Sequence, residues 1–294
     1  MDDRSTACAP RIDAQKPVAP ARWEPSNHAL RECLALQSEA APLSLLARLF
    51  GVDPLSRDAR RSYSGALAEL ALADSFAALG AEWTVLHSVP VGSESKRRYP
   101  AIDHLLIGPA GIFSVTAHSH AGQAIWVGER TFMVDDERLD HLAAAEEAAS
   151  AASELLTAAL ARGGSVAEVV VIPCIVVDSP ATLQIRQRPG RIQVTTTRTF
   201  TAWVASVPRL FSPAVVDTLS AVALQSSTWP AALAADGQDA HRRRDDFDRL
   251  RLHIASARLR RLIWTGLGVV VSYAAVILSL TGETALQIAS ALAG

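Results

Sequence analysis

The sequence predicts an α/β domain joined to one membrane-spanning helix. Three observations carry that expectation. Helical and extended stretches alternate from about Ser56 to Trp229, as α/β domains require. The run VVVIPCIVV, ending at Val177, is apolar enough to be a strand buried on both faces. From Leu262 to Gly282 the chain has 21 residues without a charge. At about 1.5 Å per residue that is about 30 Å of helix, the thickness of a hydrocarbon core.

Composition narrows the class further. The chain has 294 residues, with 28 basic and 30 acidic side chains and a formal net charge of -2. That balance excludes a nucleic-acid-coating protein of wholesale basic charge and an acidic disordered chain alike. Hydrophobic residues make up 49%, enough to build a core over most of the length. Lys16 and Lys96 are the only lysines, and the Ala- and Arg-heavy bias matches high-GC bacterial genomes. Cys8, Cys33 and Cys174 are odd in number and far apart, so neither a disulfide framework nor a CxxC metal knuckle is expected.

The elements follow in order. Residues 1–55 read as a flexible N-terminal arm with short helices, the latter within 29–50 and interrupted by Pro42. The arm lacks the basic segment and apolar run of a secretory signal. Residues 56–230 form the α/β domain. Gly65 to Leu79 reads as a helix closed by Gly80. Strands are expected at Trp83–Val89, Ile102–Ile107, Ile112–Val115 and Ala124–Val127, with a turn at Pro109–Gly111. A long Ala-rich helix runs from Leu139 to Ala161 and stops at Gly163-Gly164. The buried strand lies within 166–177, where Pro173 implies a bulge or a locally edge position. A short strand at Ile192–Val194 and a helix from Ser212-Pro213 to about Gln225 complete the domain.

Residues 231–261 read as an Arg-rich amphipathic linker helix, with Phe247, Leu250, Ile254 and Leu259 at near-helical spacing. The span is 262–282 and a short tail is 283–294. Arg258, Arg260 and Arg261 abut the start of the span, with Arg242–Arg244 behind them, and no Lys or Arg follows it. The positive-inside rule then puts the large domain in the cytoplasm of a single-pass protein. The same arginines are available to anionic lipid head groups.

The most specific block lies between Gly65 and Val134. It holds a helix with Gly65-x3-Glu69, then HSVPVG at His87–Gly92, IDHLLIGPAGIFSV at Ile102–Val115 and AGQAIWVGERTFMV at Ala121–Val134. This block resembles the NERD family of nuclease-related domains, over roughly residues 58–180. The resemblance implies a PD-(D/E)xK restriction-endonuclease-like fold, a mixed sheet flanked by helices. In such sites a helix Glu, a strand Asp and an E-x-K on the next strand converge on a divalent cation that polarises the phosphodiester. Mapped onto this chain, the helix Glu is Glu69 and the strand Asp is Asp103. At about 100° per residue Glu69 lies within roughly 20° of Phe76, a carboxylate flanking an apolar face.

The E-x-K positions fall on Thr116-Ala117-His118, and here the chain departs from the pattern. A hydroxyl is a poor replacement for a metal-binding carboxylate, and histidine is mostly uncharged at neutral pH. Glu69, Asp103, Thr116 and His118 are therefore expected to be vestigial catalytic positions, with no resident cofactor. Mg²⁺ or Mn²⁺ on Glu69 and Asp103 is the expectation for an active enzyme, with His118 as base. His104, His118 and His120 offer a weaker transition-metal alternative, with His104 on the far face of its strand from Asp103. Arg186, Arg188, Arg191 and Arg198 form a modest basic run that could meet phosphates or simply be solvated. The sequence thus points to a nuclease-related module at the cytoplasmic face of a bacterial cell membrane. Its expected partners are membrane lipid, nucleic acid and an unspecified protein. An active metal-dependent nuclease and a structural adaptor that touches no nucleic acid are the alternatives.

Overall fold

The computed structural model describes residues 25–92, 101–230 and 237–292. The chain divides into two compact units: residues up to Ser26 with Ala68–Gly237, and Asn27–Leu67 with Gln238–Gly294.

In the first unit, five strands make one mixed sheet: β1 (Thr84–Pro90), β2 (Ala101–Gly108), β3 (Gly111–Ser119), β7 (Val171–Asp178) and β9 (Gln193–Thr196), adjacent in that order. The pairs β1–β2 and β2–β3 are antiparallel, while β3–β7 and β7–β9 are parallel. A second mixed sheet, which the sequence did not separate from the first, has the order β6 (Glu137–Leu139), β5 (Phe132–Val134), β4 (Ala124–Val127), β8 (Thr182–Ile185). The expected mixed sheet flanked by helices is present, and a second, smaller mixed sheet accompanies it. Strands β5 and β6 have three residues each and β8 is almost wholly exposed, so neither alternation nor an apolar run announces them.

The turn between β2 and β3 is a two-residue loop, Pro109-Ala110, with Gly108 paired to Gly111. Gly111 has φ 135°, and a Cβ on Gly108 would stand 2.3 Å from the Trp83 ring, so both positions require glycine. Strand β3 runs to Ser119, four residues past the expected Val115. Pro173 pairs with Ser114 of β3, while β9 joins β7 only from Cys174 onward. Its missing N–H therefore falls where β7 has a neighbour on one side, the locally edge position foreseen.

Both faces of the main sheet are covered, which is why β3 and β7 are apolar almost throughout. On one face Leu106, Phe113, Val115, Cys174 and Val176 pack with Leu72, Phe76, Phe200 and Val204. The last two belong to α5 (Thr197–Ser206), opened by a Thr196/Thr199 capping box. On the other face Leu86, Ile102, Leu105, Ile107 and Ile112 meet α4 (His141–Arg162) and α6 (Pro213–Leu224). The Ala-rich α4 places Ala148, Ala149 and Ala152 against the sheet and ends at Gly163 and Gly164, the latter at φ 85°. Ile175 and Val177 pack instead against Ile125, Val127, Phe132 and Val134 of the small sheet.

Helix α3 runs Ala59–Ser75 and continues as a 3-10 turn at Phe76–Ala78, starting six residues before the expected Gly65. The signal for that start is Ser56, whose Oγ accepts the Ala59 N–H at 3.1 Å.

The second unit holds α1 (Asn27–Ser38), α2 (Leu45–Leu49) and α7 (Gly237–Leu292). The linker helix and the span are one continuous helix that runs past Gly282 to Leu292. Phe247, Leu250, Ile254 and Ala257 are buried, and Tyr63 lies over Phe247 with ring centroids 5.2 Å apart. Leu259, expected in that stripe, is 60% exposed; Ala257 takes its place because a 3-4-3 spacing holds one helix face. His241–Leu278 contains a stretch long and apolar enough to cross a membrane, and the residues of that stretch are all uncovered. Residues 1–24 of the expected flexible arm lie outside the described residues; Ser26, near its end, is fully buried.

Candidate functional site

Asp103 sits where the main sheet changes phase. Leu86 and Val89 of β1 face one cluster although they are three residues apart, and so do Ile102 and Leu105 of β2. In a regular strand residues three apart face opposite sides. The register passes from His87↔His104 to Val89↔Ile102, with Ser88 and Asp103 between. Ser88 has φ 51°, a left-handed conformation that is uncommon for serine. At the same point the β2–β3 register ends at His104↔Val115. Asp103 Oδ2 then accepts the Ala117 N–H at 2.7 Å, a side chain replacing a ladder carbonyl.

Glu69, buried on α3 one turn before Leu72, comes up against Asp103. Burial first, and the Asp103 charge second, push the Glu69 carboxyl well above the usual carboxylate range, opposed by a hydrogen bond with the Ser26 hydroxyl. Burial raises Asp103 as well, to about 7, against the Ala117 N–H that favours its charged form. At neutral pH the pair retains proton rather than standing as two bare carboxylates. Ser26 is the member the sequence did not reveal, because a lone serine in a proline-rich segment carries no signal.

The structure brings Glu69 and Asp103 together, while Thr116 and His118 have other partners. Thr116 pairs with Ile175 and His118 with Val177, which places both on the β3 face toward the small sheet. The Thr116 hydroxyl donates to the Cys174 carbonyl at 3.4 Å. His118 stacks on His141 with ring centroids 3.7 Å apart and planes 16° from parallel. Burial, then His141 and His120, hold the His118 imidazole well below its ordinary range, so it is neutral at pH 7. His120 Nε2 lies 3.2 Å from His141 Nε2, and its Nδ1 lies 3.1 Å from Gln123 Oε1.

His104 is not part of that cluster. It is fully buried, its Nδ1 is 2.7 Å from His87 Nδ1, and Phe76 packs edge-on against it at 5.0 Å. Burial, then His87, hold the His104 imidazole well below its ordinary range, opposed by the Glu69 backbone carbonyl. The grouping of His104 with His118 and His120 is therefore corrected to two separate sets, His87 with His104 and His118 with His120 and His141. His104 lies on β2 and His118 on β3, and β2 pairs with β3 only as far as Val115, so the two strands carry their histidines to different sites. His141 opens α4, so only the fold brings it to His118.

The donor set falls short of a Mg²⁺ site. Hard cations take several oxygen ligands, and two carboxylates are present, one already tied to a backbone N–H. Among the described residues no group of three or more His, Cys, Asp or Glu side chains could hold a metal ion. Three surface hollows of about 330 to 390 Å³ lie elsewhere, around Trp83 and Arg209, around Asp217, and around Leu160 and Phe211. The thiols of Cys33 and Cys174 are buried and pushed upward, which makes them inert packing groups.

A mixed sheet flanked by helices, with a helix Glu beside a strand Asp, is the arrangement that the family resemblance implies. Residues 64–176 match the NERD family model, described as a nuclease-related domain. Over these residues the chain is similar to a nuclease-related domain. The matched segment takes in Glu69, Asp103, Thr116 and His118, and ends within β7. Strand β9 and helices α5 and α6 follow the matched segment within the same compact unit. No curated protein and no solved structure matches the chain significantly.

Proposed function

We propose that this chain is a membrane-anchored nuclease-related domain that has lost phosphodiesterase chemistry and serves as a nucleic-acid-binding or interaction module. It stands at the cytoplasmic face of a bacterial cell membrane, held by one pass of α7. The observation that carries this is the fate of the E-x-K positions. Thr116 is bonded to a backbone carbonyl and His118 is a neutral ring stacked on another, so neither supplies a metal ligand or a cation to Glu69 and Asp103. Orientation rests on the arginines at 258, 260 and 261 ahead of an uncharged run with none after it.

The surface offered to phosphates is Arg186, Arg188, Arg191 and Arg198, all exposed. They lie from the end of β8, along the loop to β9, to the start of α5, and the ion pairs found among the described residues lie elsewhere. Contacts of this kind are read by salt: each phosphate neutralised steepens the loss of affinity with ionic strength.

The full chain in detergent, given labelled single- and double-stranded DNA and RNA with Mg²⁺, Mn²⁺ or chelator, tests this. Expected is binding without cleavage, weakened by salt and by Arg186→Glu with Arg188→Glu. Metal-dependent cleavage that vanishes in Asp103→Ala would overturn it in favour of an active nuclease, with Glu69 and Asp103 as metal ligands and His118 as base. Neither binding nor cleavage would leave the structural adaptor.

A further inference from the structure

Outside α7, helix α2 and the residues just after it hold the densest run of exposed large apolar side chains among the described residues. Leu45 is 83% and Leu46 68% exposed, and Leu49, Phe50 and Val52 are each more than two-fifths exposed. A short helix so poorly covered has no reason to stay ordered in water, yet it is fastened at several points to α7. Trp264 Nε1 donates to the Leu49 carbonyl at 2.8 Å, and Phe50 packs on the Trp264 ring with centroids 5.0 Å apart. Arg261 Nε donates to the Gly51 carbonyl at 3.2 Å. Gly51, at φ 72°, lies so close to α7 that a Cβ would stand 2.4 Å from the Ala257 carbonyl oxygen.

These contacts fix a height. From Gly51 back to Leu49 they climb α7 from Ala257 and Arg261 to Trp264, the third residue of the uncharged run. The exposed leucines of α2 are thus continuous with the exposed apolar surface that begins at Leu262. At this level Trp264 has an apolar ring and a satisfied N–H, the arrangement that suits a membrane–water boundary. Arg48, Arg258 and Arg260 are exposed at the same end and can reach phosphate head groups.

We propose that α2 is an interfacial membrane helix, a collar that lays Leu45, Leu46 and Leu49 into the lipid beside the point where α7 enters the bilayer. This rests on α7 being a membrane span. The collar gives the domain a second lipid contact and fixes the depth of Trp264, so that α7 does not act as a bare tether.

The test uses the full chain in phosphatidylcholine–phosphatidylglycerol vesicles. Cys8→Ser removes the one cysteine outside the described residues, and Cys33 and Cys174 are buried. An environment-sensitive fluorophore is placed on Leu46→Cys, or on Leu45→Cys as an independent site, with Glu129→Cys as the water-exposed control. Expected is blue-shifted emission, most of which is lost when the vesicles carry a nitroxide near the head group, while the control is unaffected. Water-like emission from protein that survives an alkaline carbonate wash would overturn the collar and leave the span standing. Blue-shifted emission that nitroxide lipid does not quench would mean that protein, not lipid, covers α2, and would overturn it too. Release of the protein by the wash would remove the span and the collar together.

Discussion

Glu69 and Asp103 answer burial by keeping a proton, whereas His118, stacked on His141, answers it by losing one. Both groups sit at or beside the outer half of β3, and neither has an opposite charge among the described residues to balance it. Burial disfavours whichever form is charged, so acids rise and imidazoles fall. The two responses arise independently, because His118 lies on the β3 face toward the small sheet, away from Glu69 and Asp103, so neither group supplies the charge that the other lacks.

The largest way to break that contrast is Asp103→Asn. Both carboxyls have folded pKa values above their unfolded ones. Their contribution to stability is therefore fully present below about pH 4 and is lost as pH rises toward 7. Asparagine keeps an acceptor for the Ala117 N–H and removes the charge. At pH 8 the variant should be more stable than the parent by on the order of 2–4 kcal/mol, with little difference at pH 4. Hydrogen exchange of the β2 and β3 amides reads this locally, and thermal unfolding in detergent reads it globally. A variant less stable than the parent at pH 8 would mean that the carboxylates are ionised and that a cation offsets them.

The opposite slope belongs to the histidines. His118 has a folded pKa below its unfolded value, so its contribution is present above about pH 6.5 and is lost as pH falls. Phenylalanine keeps a flat ring against His141 and has no proton to refuse. His118→Phe should gain about 1 kcal/mol over the parent at pH 5 and nothing at pH 8. An equal gain at both pH values would point to packing alone.

Much of this was legible in the sequence, though unevenly. The strand run through Val177, the helix ending at Gly163-Gly164 and the uncharged run from Leu262 were visible because each is long and strongly patterned. Glu69 and Asp103 were visible only through the resemblance, and their meeting depends on the phase change at Ser88, which alternation rules do not foresee. Three things were hidden for one reason, that they depend on partners distant in the chain. Ser26 caps Glu69 from a segment without pattern, His141 reaches His118 from another element, and Gly51 is chosen by the backbone of α7. Leu259 misled because its spacing is near-helical, yet it lies off the face that Ala257 continues.

The finest probe lies at the exposed rim of the histidine group. Gln123 Nε2 donates to Asp135 Oδ2 at 2.9 Å, so the Gln123 oxygen is the atom that faces His120 Nδ1. An amide oxygen only accepts, which makes Nδ1 the protonated nitrogen of His120 and leaves Nε2 as acceptor for His141 Nε2–H at 3.2 Å. Asp135, whose carboxyl is held low by the Ala124 N–H and then by Gln123, anchors the chain. Gln123→Ala should cost only about 0.5 kcal/mol, because the lost bonds are replaced by water at an exposed site. Its effect should appear instead in the ¹⁵N shifts of His120, from a single Nδ1–H tautomer to a mixture. If the tautomer did not change, His141 rather than Gln123 would be fixing it, and the orientation of the histidine group would originate at the helix start, not at the turn.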